Sequence, residues 1–116
     1  MSAAGLVTAA AALLALAASP RAEERRQDYP TDAIADYVFA CMATNGETQE
    51  ALEKCSCSID VVASILPYKA YVEAETVARM RQVAGEKGSL FRSGAEPQEA
   101  IARLKRAQAE AEIRCF

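Results

Sequence analysis

From residue 31 to the C-terminus the apolar residues recur at helical spacing, and no segment alternates in the period-2 manner of a strand. Ile34, Tyr37, Val38, Cys41 and Met42 stand at i, i+3, i+4, i+7 and i+8, which predicts a first helix. Thr31 is a suitable N-cap for it, Asp32 suits its positive end, and Asn45-Gly46 stops it. Thr48 then caps a second helix over roughly residues 49–66, with Leu52, Cys55, Ile59, Val62 and Leu66 inward, Val61 and Ile65 beside them, and Pro67 at its end. The short link between the two predicts an antiparallel helical hairpin.

A third helix is expected over residues 68–84, with Tyr68 and Tyr71 at its start and Val72, Val77, Met80 and Val83 on its inner side. Residues 85–97 hold three glycines and a proline and are expected to form a loop, with Leu90 and Phe91 plugged into the core. Pro97 suits the first turn of a last helix whose face runs Ile101, Leu104, Gln108, Ala111 and Cys115, flanked by Ala100 and Ala107. The expected fold is therefore all-α, with three to four helices built on the N-terminal hairpin.

The first 30 residues follow other rules. Residues 3–18 carry no charge and are mostly Ala and Leu, with small residues following, the pattern of a secretory signal peptide. Cleavage after Ala17 or after Ala22 suits such a segment; residues 1–22 are assigned to it. Its n-region lacks Lys and Arg, which leaves a short membrane anchor as the competing reading, although 16 weakly apolar residues are short for a span. Residues 23–30 form a charged leader, expected to be flexible, ahead of a domain at 31–116. Export places that domain in the periplasm, with no stable membrane insertion after cleavage.

An exported chain of this size has a small core, and four cysteines in it are read first as disulfides. Cys55 and Cys57 lie about 200° apart around a helix, so they face different neighbours. Cys41–Cys55 would close the hairpin and Cys57–Cys115 would pin the last helix; Cys41–Cys57 with Cys55–Cys115 is the other pairing, and the first is favoured. The alternatives to two structural bridges are a Cys-x-Cys redox pair, or Cu(I) ligation with Met42 or Met80. A position mid-helix among apolar neighbours argues against both.

Charge and absences narrow the chemistry. The formal net charge is -3, and -4 once Arg21 is cleaved away, which gives no electrostatic basis for binding nucleic acid. The chain has no His, which excludes His-based triads, Cys/His dyads and CxxCH haem attachment. With the sulfurs oxidised, a metal site would be built from oxygen and take a hard cation such as calcium or a lanthanide. The candidate groupings are Asn45, Glu47 and Glu50 at the hairpin bend, and Asp32 with Asp36 one turn apart on the first helix; a favoured helix N-terminus for the first and a solvated face for the second are the preferred explanations. Glu73 and Glu75 diverge. Asp60 is expected to be partly buried and paired with Arg103, Arg106 or Arg114. No catalytic residues stand out.

The runs Tyr37-Val38-Phe39-Ala40-Cys41-Met42, Cys55-Ser56-Cys57-Ser58-Ile59-Asp60, Tyr71-Val72-Glu73-Ala74-Glu75-Thr76 and Ala109-Glu110-Ala111-Glu112-Ile113-Arg114-Cys115-Phe116 resemble a group of small exported proteins of methylotrophic proteobacteria associated with methanol oxidation and lanthanide handling. The resemblance implies a non-enzymatic periplasmic helper that binds a lanthanide and exchanges it with another periplasmic protein. It transfers no ligand residues. The alternative is a structural accessory or assembly factor for a periplasmic oxidoreductase.

Overall fold

The computed structural model describes residues 28–116, in which five helices and no strand are found. The expected signal segment and residues 23–27 of the expected leader lie outside the described residues. The helices are α1 (Thr31–Asn45), α2 (Gln49–Ile65), α3 (Tyr68–Arg81), α4 (Glu86–Ser93) and α5 (Ala95–Cys115). None is long and apolar enough to cross a membrane.

Local chemistry sets most boundaries. Pro30, not Thr31, is the N-cap of α1, and Thr31 is its first helical residue; Pro30 brings the extended backbone that an entry needs and its carbonyl accepts from the Ile34 N–H. At the other end Gly46 adopts a φ of 104°, a value that disfavours a side chain, and its N–H donates to the Met42 carbonyl. Thr48 caps α2 as expected: its hydroxyl accepts from the Ala51 N–H at 3.1 Å. Pro67 begins the entry into α3.

The core is organised on α2. Ala51, Cys55, Ser58, Ile59, Val62 and Ala63 are buried along one side of it, and Leu66 just past its end. Leu52, expected on that face, is exposed, because Ala51 takes the inward position one residue away. The most extensive helix contact is between α2 and α5. From α5 the buried residues are Ala100, Ile101, Leu104, Ala107 and Ala111. The alanines let the two backbones approach closely, while Ile59, Val62 and Leu104 supply the apolar bulk, each worth about 1.5–3 kcal/mol on burial. Tyr71 and Ala74 of α3 join this cluster.

Tyr29 joins it too, which corrects the reading of residues 23–30 as wholly a leader. It is buried, its hydroxyl donates to the Leu66 carbonyl at 2.7 Å, and its ring packs against Tyr68 and Tyr71 at 5.1 and 5.3 Å between centroids. The packed region thus begins ahead of α1.

A second cluster, Val77, Ala100 and Ile101, sits at the α3–α5 end with Phe91 against it. Here the expected loop is largely helical: residues 86–93 form α4. Gly88 is buried inside that helix, where a Cβ would collide with the Val83 carbonyl oxygen. It is a close-approach glycine rather than a loop marker. Arg92 fastens the turn, its guanidinium donating to the carbonyls of Arg81, Val83 and Gly85. Of the two expected core plugs only Phe91 packs, half-buried; Leu90 is 70% exposed. The third helix is shorter than expected, ending at Arg81, and Val72 and Val83 lie exposed because Tyr71, Ala74 and Val77 form its inner side.

Both disulfides join the favoured partners: Cys41 to Cys55, and Cys57 to Cys115. No described cysteine is free. Asp60, expected to be partly buried, is exposed. Arg106 pairs with Glu99 and Arg114 with Glu110.

Candidate functional site

The first helix makes the site by packing incompletely. Its stripe of Ile34, Tyr37 and Val38 rests half-buried on the core, and no residue of α1 is fully buried. Its contacts run chiefly to α2, through the Cys41–Cys55 bridge and a hydrogen bond of 2.8 Å between the Tyr37 and Ser58 hydroxyls. Little of α1 reaches α3 or α5, so space is left on that side.

Two cavities fill that space. The first, about 460 Å³, lies between α1 and α3, with Asp32 and Asp36 on one wall and Tyr68, Tyr71, Glu75 and Arg79 on the other. The second, about 420 Å³, is enclosed by α1, α3 and α5; its walls include Asp36, Tyr37, Cys41, Tyr71, Glu75, Gln108, Glu112 and Phe116. Asp36, Tyr71 and Glu75 belong to both, so the two cavities adjoin along α1 and together make a trough there.

The trough is acidic. Asp36, Glu75 and Glu112 line the second cavity with no Lys or Arg among its lining residues. In the first, Arg79 reaches Glu75 at 3.9 Å, a largely exposed pair that solvent screens. The floor is aromatic. Tyr71 is only 7% exposed, and its hydroxyl makes no hydrogen bond among the described residues. Burial, then the electrostatic influence of Glu75, Tyr37 and Asp36, push its pKa well above the ordinary tyrosine value, so the phenol stays protonated. The chemistry on offer is negative potential, hydrogen-bond acceptance and the Tyr71 hydroxyl; the other buried hydroxyl, on Ser58, is paired with Tyr37.

The sequence-based cation candidates separate into two places. Asp32 and Asp36 share the first cavity. Asn45 borders the second, but its amide donates to the Cys41 carbonyl at 2.9 Å. Glu50 pairs with Lys54 at 2.8 Å, and the hydrogen bond and charge of that ammonium hold its carboxyl below the ordinary value. Glu47 is exposed beside the turn and lines none of these cavities. Among the described residues no group of three or more His, Cys, Asp or Glu is placed to hold a metal ion.

Sequence reasoning missed Tyr71, Glu75 and Glu112 as neighbours of Asp36. Glu75 had looked isolated from Glu73, and only the third dimension brings it opposite α1. The spacing of Gln108 and Glu112, one helical turn apart next to the buried Ala111, was the available signal for a polar edge beside the core. Comparisons with protein-family models, with curated proteins and with solved structures give no match.

Proposed function

We propose that the protein is a non-enzymatic binding module of an exported, oxidising compartment, the periplasm, and that it works by receiving part of another protein in the trough beneath α1. An accessory or assembly role toward a periplasmic oxidoreductase is one form of this reading. One observation carries it: a chain whose core is otherwise closed by small residues leaves two adjoining acidic, tyrosine-floored cavities along one helix. Paired disulfides suit the compartment.

A photo-crosslinking residue at Ala40, which borders the second cavity, tests the surface against one at Arg103 on the outer side of α5. In the source organism's periplasm a discrete adduct is expected from position 40 and not from 103. No adduct from position 40, or the same adduct from both, ends this reading.

The second reading is carriage of a hard cation, calcium or a lanthanide. It is favoured by Asp32, Asp36 and Glu75 bordering one cavity. It ranks below the first because a hard ion needs six or more close oxygens, and no described group of three acids stands within reach of one ion. Calorimetric titration with La(III) and Ca(II) separates the two: only heat of dilution is expected, and stoichiometric binding would reverse the ranking.

A further inference from the structure

We propose that the trough recognises arginine, taking the guanidinium of an extended segment of a partner protein between Asp36, Glu75 and Glu112 and against the hydroxyl of Tyr71. This rests on the trough being the working surface.

The carboxylates come from three helices, α1, α3 and α5, and surround a space of about 420 Å³ without converging on one point. Their separation suits a charge that is spread over several donors. Guanidinium offers five N–H donors in a plane, whereas an ammonium is a compact point charge that meets fewer separated acceptors. Tyr37 adds a ring on which a guanidinium stacks, while the Phe116 ring already has the Lys54 Nζ 6.0 Å from its centroid.

Tyr71 supplies the independent observation. It is more than nine-tenths buried, lines both cavities and leaves its Oη without a partner among the described residues. No sealed side-chain nitrogen or oxygen among those residues lacks a hydrogen bond, so the Oη is open to the trough and not to the core. A hydroxyl held there between Asp36 and Glu75 accepts from an incoming N–H while it donates to a carboxylate. The occupant is a segment and not a small free cation because the two cavities adjoin across Asp36, Tyr71 and Glu75: one side chain enters the second, and the adjoining chain lies in the first.

The test uses the full disulfide-bonded protein and a fluorescein-labelled Gly-Arg-Gly-Arg-Gly peptide, read by anisotropy at physiological salt. Its citrulline counterpart has the same shape without the charge. The arginine peptide is expected to bind at least tenfold more tightly than the citrulline one. D36N/E75Q should weaken it at least tenfold and Y71F about threefold or more, with unchanged circular dichroism. E86Q/E99Q, which removes as much charge away from the trough, should leave affinity unchanged.

Equal binding of the citrulline peptide overturns the proposal, as does an equal loss in E86Q/E99Q, which would mark general attraction to an acidic protein. Acetyl-arginine amide binding as tightly as the peptide overturns the segment. The Ala40 adduct separates the layers. If it forms and survives D36N/E75Q, the trough remains a docking surface and arginine recognition falls. If it never forms, both fall.

Discussion

The contact of α2 with α5 and the contact of α2 with α1 are each closed by one disulfide, yet they are built differently. Between α2 and α5, Ala107 and Ala111 are fully buried against Ile59 and Val62, and Cys57–Cys115 reinforces packing that already exists. Between α2 and α1 nothing on α1 is fully buried, and Cys41–Cys55 supplements packing that is only partial, through Ile34, Tyr37 and Val38. Small residues close an interface and so remove any space for a ligand. A helix held by a covalent bond can stay off the core and keep that space open. The same bond type therefore strengthens a core in one place and maintains a trough in the other.

Removing each bond breaks the comparison most directly. C57S/C115S opens the longer loop, with cysteines 58 residues apart, and is expected to cost about 4 kcal/mol by loop entropy. The loss should be global, appearing as a lower midpoint of a single urea transition. C41S/C55S opens a separation of 14 residues, worth about 3 kcal/mol at most, and its effect should be local. Hydrogen exchange is expected to lose protection in α1 while α2 and α5 keep theirs; uniform loss across all three would contradict the division.

Tyr29→Phe sharpens the comparison at the end of α2. It leaves the Leu66 carbonyl without the Tyr29 hydroxyl and should cost about 1–2 kcal/mol in denaturant titrations. It also predicts a pH effect. The pKa of Tyr29 is pushed above its ordinary value chiefly by burial, with Tyr71 and Tyr68 adding, and that of Tyr71 is pushed the same way. The fold thus favours the protonated phenols. Their contribution is complete below the unfolded tyrosine value, about pH 10, and is lost progressively as pH rises above it. Melting temperatures measured from pH 8 to 11 should fall above about pH 10, less steeply in Y29F; identical slopes would remove these phenols from the account. The smallest effect belongs to Glu110→Gln, which breaks an exposed pair with Arg114 at 2.8 Å and should change stability by about 0.5 kcal/mol or less.

What the sequence reveals follows the same division. The helices α1, α2 and α5 are legible because their apolar spacing is long and their ends carry strong signals: Gly46, Thr48, Pro67. Two sulfurs on opposite sides of one helix call for a separate partner each; that Cys41 takes Cys55 and Cys115 takes Cys57 is the favoured of the two pairings this leaves open. The α4 segment is hidden because Gly85, Gly88 and Gly94 look alike in sequence, whereas Gly88 is placed by a neighbouring carbonyl that only the fold brings near. The trough is hidden for a related reason. Tyr37 and Tyr71 obey the periodicity of core residues, and periodicity does not register that α1 stops short of α3 and α5. Asp36 was recognisable as an acidic position; its facing partners Glu75 and Glu112 lie on other helices.

The adjacency of the two bridges has a mechanical consequence. Cys55 and Cys57 are separated by Ser56 alone, and their partners, Cys41 and Cys115, lie near opposite ends of the helical region. A pull on the two ends of the chain would travel from Cys41 across to Cys55, through Ser56, and from Cys57 across to Cys115. Helices α3 and α4, the end of α1 beyond Cys41 and nearly all of α2 and α5 would be bypassed and carry no load. The protein could bear tension between two attachment points while the helices on either side of that short link stayed folded.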